Sequence, residues 1–234
     1  MDYFYCSPEN ISSDAVLIDG EEFAHLVHVM RKKIGDEIRV VDGLGTAYDV
    51  TLVEMKKREA KGKITSRFEN YNEPSVLLTL AVGILKNPSR FDFLVEKVTE
   101  LGAKEIIPIT TERTIPSHAK TDRWQKLALA AMKQCGRGYL PHVRSLLALE
   151  EVLKESSTFK HKLIAHETSS SSIGEYRSKF KPNESILVLI GPEGGFSEEE
   201  IQRCTDAGFT HISLGTRRLR TETAAITATS FIVS

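Results

Sequence analysis

The period of the apolar positions changes along the chain. Phe23, Leu26, Val27 and Met30 fall at i, i+3, i+4 and i+7, which predicts an amphipathic helix over residues 21–33. Arg31, Lys32 and Lys33 close that segment, where cations suit the negative end of the helix dipole, and Gly35-Asp36 then breaks the pattern. Short apolar runs predict strands at Glu37–Val41, Ala47–Glu54 and Lys63–Phe68, separated by Asp42-Gly43 and by a charged turn from Lys56 to Gly62. Short strands, tight turns and one helix predict a small β-barrel domain over residues 1–72. Tyr71–Pro74, polar and ending on proline, reads as a linker.

From residue 73 to 234 the pattern predicts a second domain in which strands and helices alternate. An apolar run at Val76–Ile84 precedes Lys86-Asn87-Pro88 and a helix with Phe91, Leu94, Val95, Val98 and Leu101 on one face. Gly102 ends it, and a strand at Glu105–Ile109 and a helix at Asp122–Cys135 follow. Lys162–His166, Ser185–Ile190 and Thr210–Leu214 read as strands, and Ser172–Phe180 as helical. Another helix begins at Ser197, which forms a capping box with Glu200. Strands that are wholly apolar and alternate with helices predict an α/β domain whose parallel sheet is covered on both faces. The final helix, Thr221–Val233, is small or apolar at nearly every position after Glu222. Such a helix buries all its sides, within the domain or against a second subunit.

A chain of 234 residues with 41% hydrophobic positions can bury a core without disulfides or a structural metal. The longest uncharged apolar stretch, Val76–Leu85, is far short of a membrane span, and the first residues lack the basic and apolar regions of a secretory signal. Cys6, Cys135 and Cys204 are odd in number and widely spaced, which argues for reduced thiols in cytosol and against a zinc site. The net charge of −1 taken alone disfavours nucleic acid, but its distribution does not. Lys56, Lys57, Arg58, Lys61, Lys63 and Arg67 crowd residues 54–67 against two acidic residues, and Arg31, Lys32 and Lys33 add a second basic cluster on the small barrel. A basic barrel joined to a ligand-binding α/β domain suggests a targeting module beside a catalytic one.

Ligands of open α/β sheets bind beyond the carboxyl ends of the strands, and unusual residues follow three of the predicted strands. His166-Glu167 follows the first, Gly191-Pro192-Glu193-Gly194-Gly195 the second, and Leu214-Gly215-Thr216-Arg217-Arg218-Leu219-Arg220-Thr221-Glu222-Thr223 the last. The glycine loop is neither a P-loop nor a dinucleotide fingerprint, and a tight turn into a capped helix would explain it equally well. With no lysine or magnesium-binding hydroxyl beside it, an adenosine-type ligand suits it better than a polyphosphate. The arginines at 217, 218 and 220 point to an anion site beside that crevice, although pairing with Glu222 would account for one of them. His25 and His28, without acidic or cysteine companions, do not make a metal site.

Taken together, IGPEGGFS at 190–197 and LGTRRLRTETA at 214–224 resemble the bacterial 16S ribosomal RNA uracil-N3 methyltransferase family, of the SPOUT or α/β-knot class. HLVHVMRKKIGDEIRVVDG at 25–43, KVTELGAKEIIP at 97–108, and Trp124, Gln134, Arg137 and Pro141 agree with it in order, so the resemblance covers essentially the whole chain. It implies a PUA-like RNA-binding barrel followed by a SPOUT domain with a C-terminal deep trefoil knot. It also implies S-adenosylmethionine as cofactor, held by His166, Glu167, Gly191, Pro192, Glu193, Gly194, Gly195, Leu214, Gly215, Leu219 and Thr223. The implied product is N3-methyluridine in 16S ribosomal RNA of the 30S subunit, made by a cytoplasmic homodimer that needs no metal. Arg220 and Arg137 are the candidates for stabilising the uracil anion or holding phosphate, and Glu222 is the candidate proton acceptor. Arg31, Lys32, Lys33, Lys56, Lys57 and Arg58 are the candidate RNA contacts. Arg218 stands where the family usually has an aliphatic residue, and Cys135 where serine is common. Two other readings remain: a non-enzymatic ribosomal RNA-binding or assembly factor that keeps the cofactor fold, and a SPOUT methyltransferase acting on another RNA. The intact glycine and arginine loops argue against the first.

Overall fold

Two sheets satisfy the backbone hydrogen bonds of the strands, one sheet in each of two units. The computed structural model describes residues 3–166, 169 and 171–233. The described residues up to Glu73, together with Met132–Leu140, form one compact unit; Pro74–Ala131 and the described residues from Pro141 onward form the other.

The first unit carries a five-stranded sheet made of β1 (Tyr3–Tyr5), β2 (Ala15–Asp19), β3 (Glu37–Val41), β4 (Ala47–Met55) and β5 (Glu59–Phe68), in the order β1-β3-β4-β5-β2. β1 runs parallel to β3 and the other neighbours are antiparallel. Alternate residues point inward, so Phe4, Val16, Ile18, Ile38, Val40, Val50 and Leu52 meet Leu26 in one core. The pattern reveals neither β1 nor β2. β5 begins at Glu59, ahead of the expected Lys63, because its first residues pair with β2 (Asp19 opposite Glu59, Ala15 opposite Lys63). The helix expected over 21–33 is shorter. It starts as α1 (Gly20–Ala24), widens into π-type turns over His25–Val29, and stops where Arg31 turns left-handed at φ 53°.

The second unit is a parallel α/β sheet with strand order β12-β10-β11-β6-β7-β8, and β9 also pairs with β7. Its elements are β6 (Leu77–Gly83), α2 (Pro88–Leu101), β7 (Glu105–Thr110), α3 (Thr121–Cys135, whose residues from Met132 onward are counted with the first unit), β8 (His142–Val143), β9 (Leu147–Ala148) and α4 (Leu149–Glu155). β10 (His161–Ala165), α5 (Ile173–Arg177), β11 (Ser185–Ile190), α6 (Glu198–Asp206), β12 (Thr210–Ile212) and α7 (Thr221–Val233) complete it. The central strands β6 and β11 are buried almost end to end, as their apolar runs require. Phe91, Leu94, Val95 and Val98 form the buried face of α2, which Asn87 caps by accepting the Ser89 N–H. α7 buries Ala225, Ala228, Thr229 and Ile232 but leaves Phe231 45% exposed, so within one chain it is covered on one side only. Among the described residues no helix is long and apolar enough to cross a membrane.

Candidate functional site

β12, β10 and β11 are neighbours in the sheet, and the loops leaving their carboxyl ends converge. They line a cavity of about 960 Å³ in the second unit, within the size range of small-molecule sites. His166 borders it from the β10 loop, Gly191–Gly195 from the β11 loop, and Leu214, Gly215, Arg217, Arg218, Leu219 and Arg220 from the β12 loop. Ile190, Ile201 and Ala224 add apolar wall. A Cβ placed on Gly195 or Gly215 would meet nothing within 4 Å, so at both positions open space adjoins bare backbone.

The loop geometry follows from particular contacts. Gly195 donates its N–H to Pro192 O at 2.9 Å and adopts φ 70°, which closes the Gly191–Gly195 turn. Ser197 and Glu200 complete the expected capping box, at 3.3 and 2.9 Å, and start α6 directly after the turn. The other oxygen of the buried Glu200 accepts the Glu112 N–H at 2.8 Å, which fixes the loop after β7 against α6. From that loop Arg113 donates to Gly194 O at 3.1 Å. Thr221 donates its hydroxyl to Gly191 O at 3.0 Å and joins the start of α7 to the same turn.

Charge is unevenly distributed around the cavity. Arg90, Arg113, Arg217, Arg218 and Arg220 all border it. Arg90 is committed: it donates to both carboxylate oxygens of Glu222, at 2.9 and 2.5 Å, and to Glu193 Oε1 at 3.0 Å. Burial opposes the charged form of Glu222, but the Arg90 hydrogen bonds, the residue's own N–H, and the charges of Arg90 and Arg220 outweigh it. The carboxyl is therefore held below the ordinary carboxylate range. Among the described residues Arg217 and Arg220 form no ion pair, and both are exposed at the rim, as is Arg218.

Twelve of the residues nominated for the cofactor and the anion therefore meet at one cavity, with Glu167 lying outside the described residues. Thr223 is exposed on α7 and does not line it. Arg137 belongs to the first unit, 3% exposed, with its guanidinium on both oxygens of Glu73 at 3.2 and 2.6 Å. A buried two-point pair thus holds Arg137 to Glu73 within the first unit. Glu222, the candidate proton acceptor, is buried at the start of α7 and paired with Arg90, which stabilises its charged form. Of the RNA candidates, Arg31, Lys33, Lys57 and Arg58 are exposed and Lys32 is half-buried. Lys56 pairs with Glu59 at 2.8 Å and Glu54 at 3.5 Å. Hydrogen bonds from Gly35 N to Leu52 O and from Leu52 N to Asp36 O set the 31–36 turn beside β4, four residues before Lys56.

Three cavity-shaping residues escape the sequence pattern: Gly83, Arg90 and Arg113. Each follows or ends a strand on the carboxyl side of the sheet, the rule that singled out the other loops, so applying it to β6 and β7 finds them. A Cβ on Gly83 would lie 2.5 Å from Pro192 N, and one on Gly194 would lie 2.9 Å from Arg113 Cβ. Both are places where backbone approaches too closely for any side chain.

Residues 72–233 match the family model described as an RNA methyltransferase domain, and residues 18–65 the one described as an RNA methyltransferase PUA domain. The chain is 30% identical to the ribosomal RNA small subunit methyltransferase E of Bacillus subtilis, over 92% of this chain and 88% of that protein. Among solved structures it resembles the Neisseria gonorrhoeae ribosomal RNA small subunit methyltransferase E bound to S-adenosyl methionine (TM-score 0.86, 33% identity, 98% and 95% of the two chains). It also resembles a Legionella pneumophila methyltransferase in complex with the same cofactor (TM-score 0.82, 30% identity, 98% and 96%).

Proposed function

The chain belongs to the RNA methyltransferase family, and from that premise we propose that it transfers a methyl group from S-adenosylmethionine to N3 of a specific uridine in 16S ribosomal RNA. The observation that carries this reading is a cavity at the carboxyl ends of β10, β11 and β12, bordered both by the Gly191–Gly195 turn and by Arg220. Its residues fit the cofactor. Backbone of Gly191–Gly195 and Leu214–Leu219 offers hydrogen-bonding groups, while Ile190, Ile201, Leu214, Leu219 and Ala224 supply an apolar bed for an adenine ring.

When bound, S-adenosylmethionine supplies an electrophilic sulfonium methyl. The chain positions the acceptor nitrogen in line with it and stabilises the charge that develops as N3 loses its proton. N3 lies on the Watson–Crick edge, so the base enters unpaired or flipped out. Arg220, exposed at the rim, is the residue best sited to face the uracil anion or an adjacent phosphate. Lys57, Arg58, Arg31 and Lys33 on the PUA-like unit offer charge to the phosphate backbone of the 30S particle. A homodimer fits α7: the helix has no charged residue after Glu222 and its Phe231 side chain is exposed, as is Phe93 on α2. A ribosomal substrate implies a cytoplasmic protein.

The test is transfer of labelled methyl to 30S particles or ribosomal RNA lacking the modification, followed by nucleoside analysis. N3-methyluridine is the expected product, and any other methylated nucleoside refutes the assignment. Arg220→Ala should abolish transfer while calorimetry still registers cofactor binding; full activity in that variant removes Arg220 from the reaction. Sedimentation of the purified protein as a monomer at working concentration refutes the homodimer.

A further inference from the structure

Glu222 follows Arg220 by two residues at the start of α7, and both Arg90 and Arg220 act on its charge. A carboxylate in that position has a choice of cation. It is 8% exposed, so water does not compensate it, and it must be paired within the protein. In the structure it is taken by Arg90, 132 residues earlier in the chain, and not by its neighbour. The Arg90 fork occupies both oxygens, and the third donor of the same guanidinium goes to Glu193 Oε1. Glu193 Oε1 also accepts the Lys86 N–H at 3.3 Å, so Arg90 is anchored from the β11 turn and from the chain just ahead of its own helix. With Asn87 capping α2 and Pro88 as its first residue, the fork is set in place before any ligand enters.

We propose that Arg90 is a positioning residue that sequesters Glu222: by saturating both oxygens of that carboxylate it keeps Arg220 unpaired and available to the anionic part of the substrate. The inference rests on the role of Arg220 given above. Without Arg90, the charge of Arg220 still acts on the buried carboxylate from two residues away in the chain. Pairing there would withdraw the Arg220 guanidinium from the cavity rim and place a carboxylate where the uracil anion develops. A simple structural staple between α2, the β11 turn and α7 would behave differently, because weakening its second partner could only add to the damage.

The experiment compares Arg90→Ala with Arg90→Ala/Glu222→Gln in single-turnover methyl transfer, with cofactor affinity measured by calorimetry and folding by thermal denaturation. Arg90→Ala is expected to slow transfer by about 100-fold, the usual consequence of losing one charge-stabilising donor. The double variant is expected to recover at least roughly tenfold of that loss, since the amide no longer competes for Arg220. A double variant no faster than Arg90→Ala overturns the proposal, whether Glu222 is then a proton acceptor or one end of a staple. If Arg90→Ala does not fold, the closer-shaped Arg90→Gln and Arg90→Gln/Glu222→Gln carry the same comparison. Arg220→Ala separates the two levels. An active Arg220→Ala sinks the role of Arg220 itself. An inactive Arg220→Ala with no rescue by Glu222→Gln sinks only the sequestration.

Discussion

Replacing Gly83 by alanine tests whether the cavity depends on a backbone-to-backbone approach. The added Cβ would lie 2.5 Å from Pro192 N, 2.6 Å from its Cδ and 2.9 Å from its Cα. Ordinary carbon contacts are about 3.5–4.0 Å, so one partner must retreat by roughly 1 Å. Gly83 cannot do so cheaply. It sits in β6 opposite Ile109 of β7, and its neighbour Val82 is paired with Ile190 of β11, so the strand is held from both sides. The yielding partner is the Gly191–Gly195 turn, whose Gly195 N–H bonds Pro192 O and whose Gly191 O accepts from Thr221. Overpacking of this kind costs about 1–3 kcal/mol of stability. A 1 Å displacement of a site-forming loop costs on the order of 100-fold in function. Urea unfolding should therefore show a lower midpoint with unchanged slope, and calorimetry a weaker S-adenosylmethionine affinity. Gly174→Ala in α5 is the control, because its Cβ would meet only Ser172 Oγ, at an ordinary 3.7 Å. Wild-type midpoint and wild-type affinity in Gly83→Ala would refute the reasoning.

Three more outcomes are expected. The carboxyl of Glu222 is depressed below its ordinary value of 4.5, so its pairing stabilises the fold fully above that value and the contribution is lost as pH falls through the depressed one. Glu222→Gln should therefore flatten the loss of stability between neutral and strongly acidic pH, and an unchanged acid-unfolding curve would exclude it. Burial pushes the Cys6 and Cys204 thiols up to about 12, so neither should react with a thiol reagent at neutral pH until the protein is unfolded. Rapid labelling of either in the native protein would contradict their burial. In the first unit, Lys57→Ala/Arg58→Ala should weaken RNA binding and reduce its salt dependence, by about 0.7–0.9 in slope for each phosphate no longer neutralised. Lys56→Ala, whose ammonium is already shared with Glu59 and Glu54, should do so less; the reverse order would refute this view of the basic turn.

Much of the second unit was legible because its signals are local. The apolar runs at β6 and β11, the 3.6-residue stripe of α2 and the Ser197–Glu200 capping box each stabilise their own element, so neighbouring residues are enough to read them. The convergence of the loops after β10, β11 and β12 was also foreseeable, since a parallel sheet places equivalent ends on one edge. The first unit was less legible. β1 and β2 are only three and five residues long and exist through pairing with β3 and β5, which no period in their own sequences announces. The same dependence set the true start of β5, and a widened turn with a left-handed Arg31 ended the first helix early.

The amino-acid sequence by itself determined most strands and helices of the α/β unit (though not β8, β9 or α4), where its ligand loops lie, and that positive charge is concentrated in patches despite a net charge of −1. Tertiary structure alone decided the fate of each charged group. Arg137 went to Glu73, 64 residues away, and Glu222 to Arg90, 132 residues away, leaving Arg220 at the rim without an ion pair among the described residues. The reason is physical. Hydrophobic periodicity is a sum over many weak, replaceable contacts and survives in one dimension. A buried ion pair depends on two particular side chains meeting within hydrogen-bond distance, and that meeting exists only once the fold has brought their segments together.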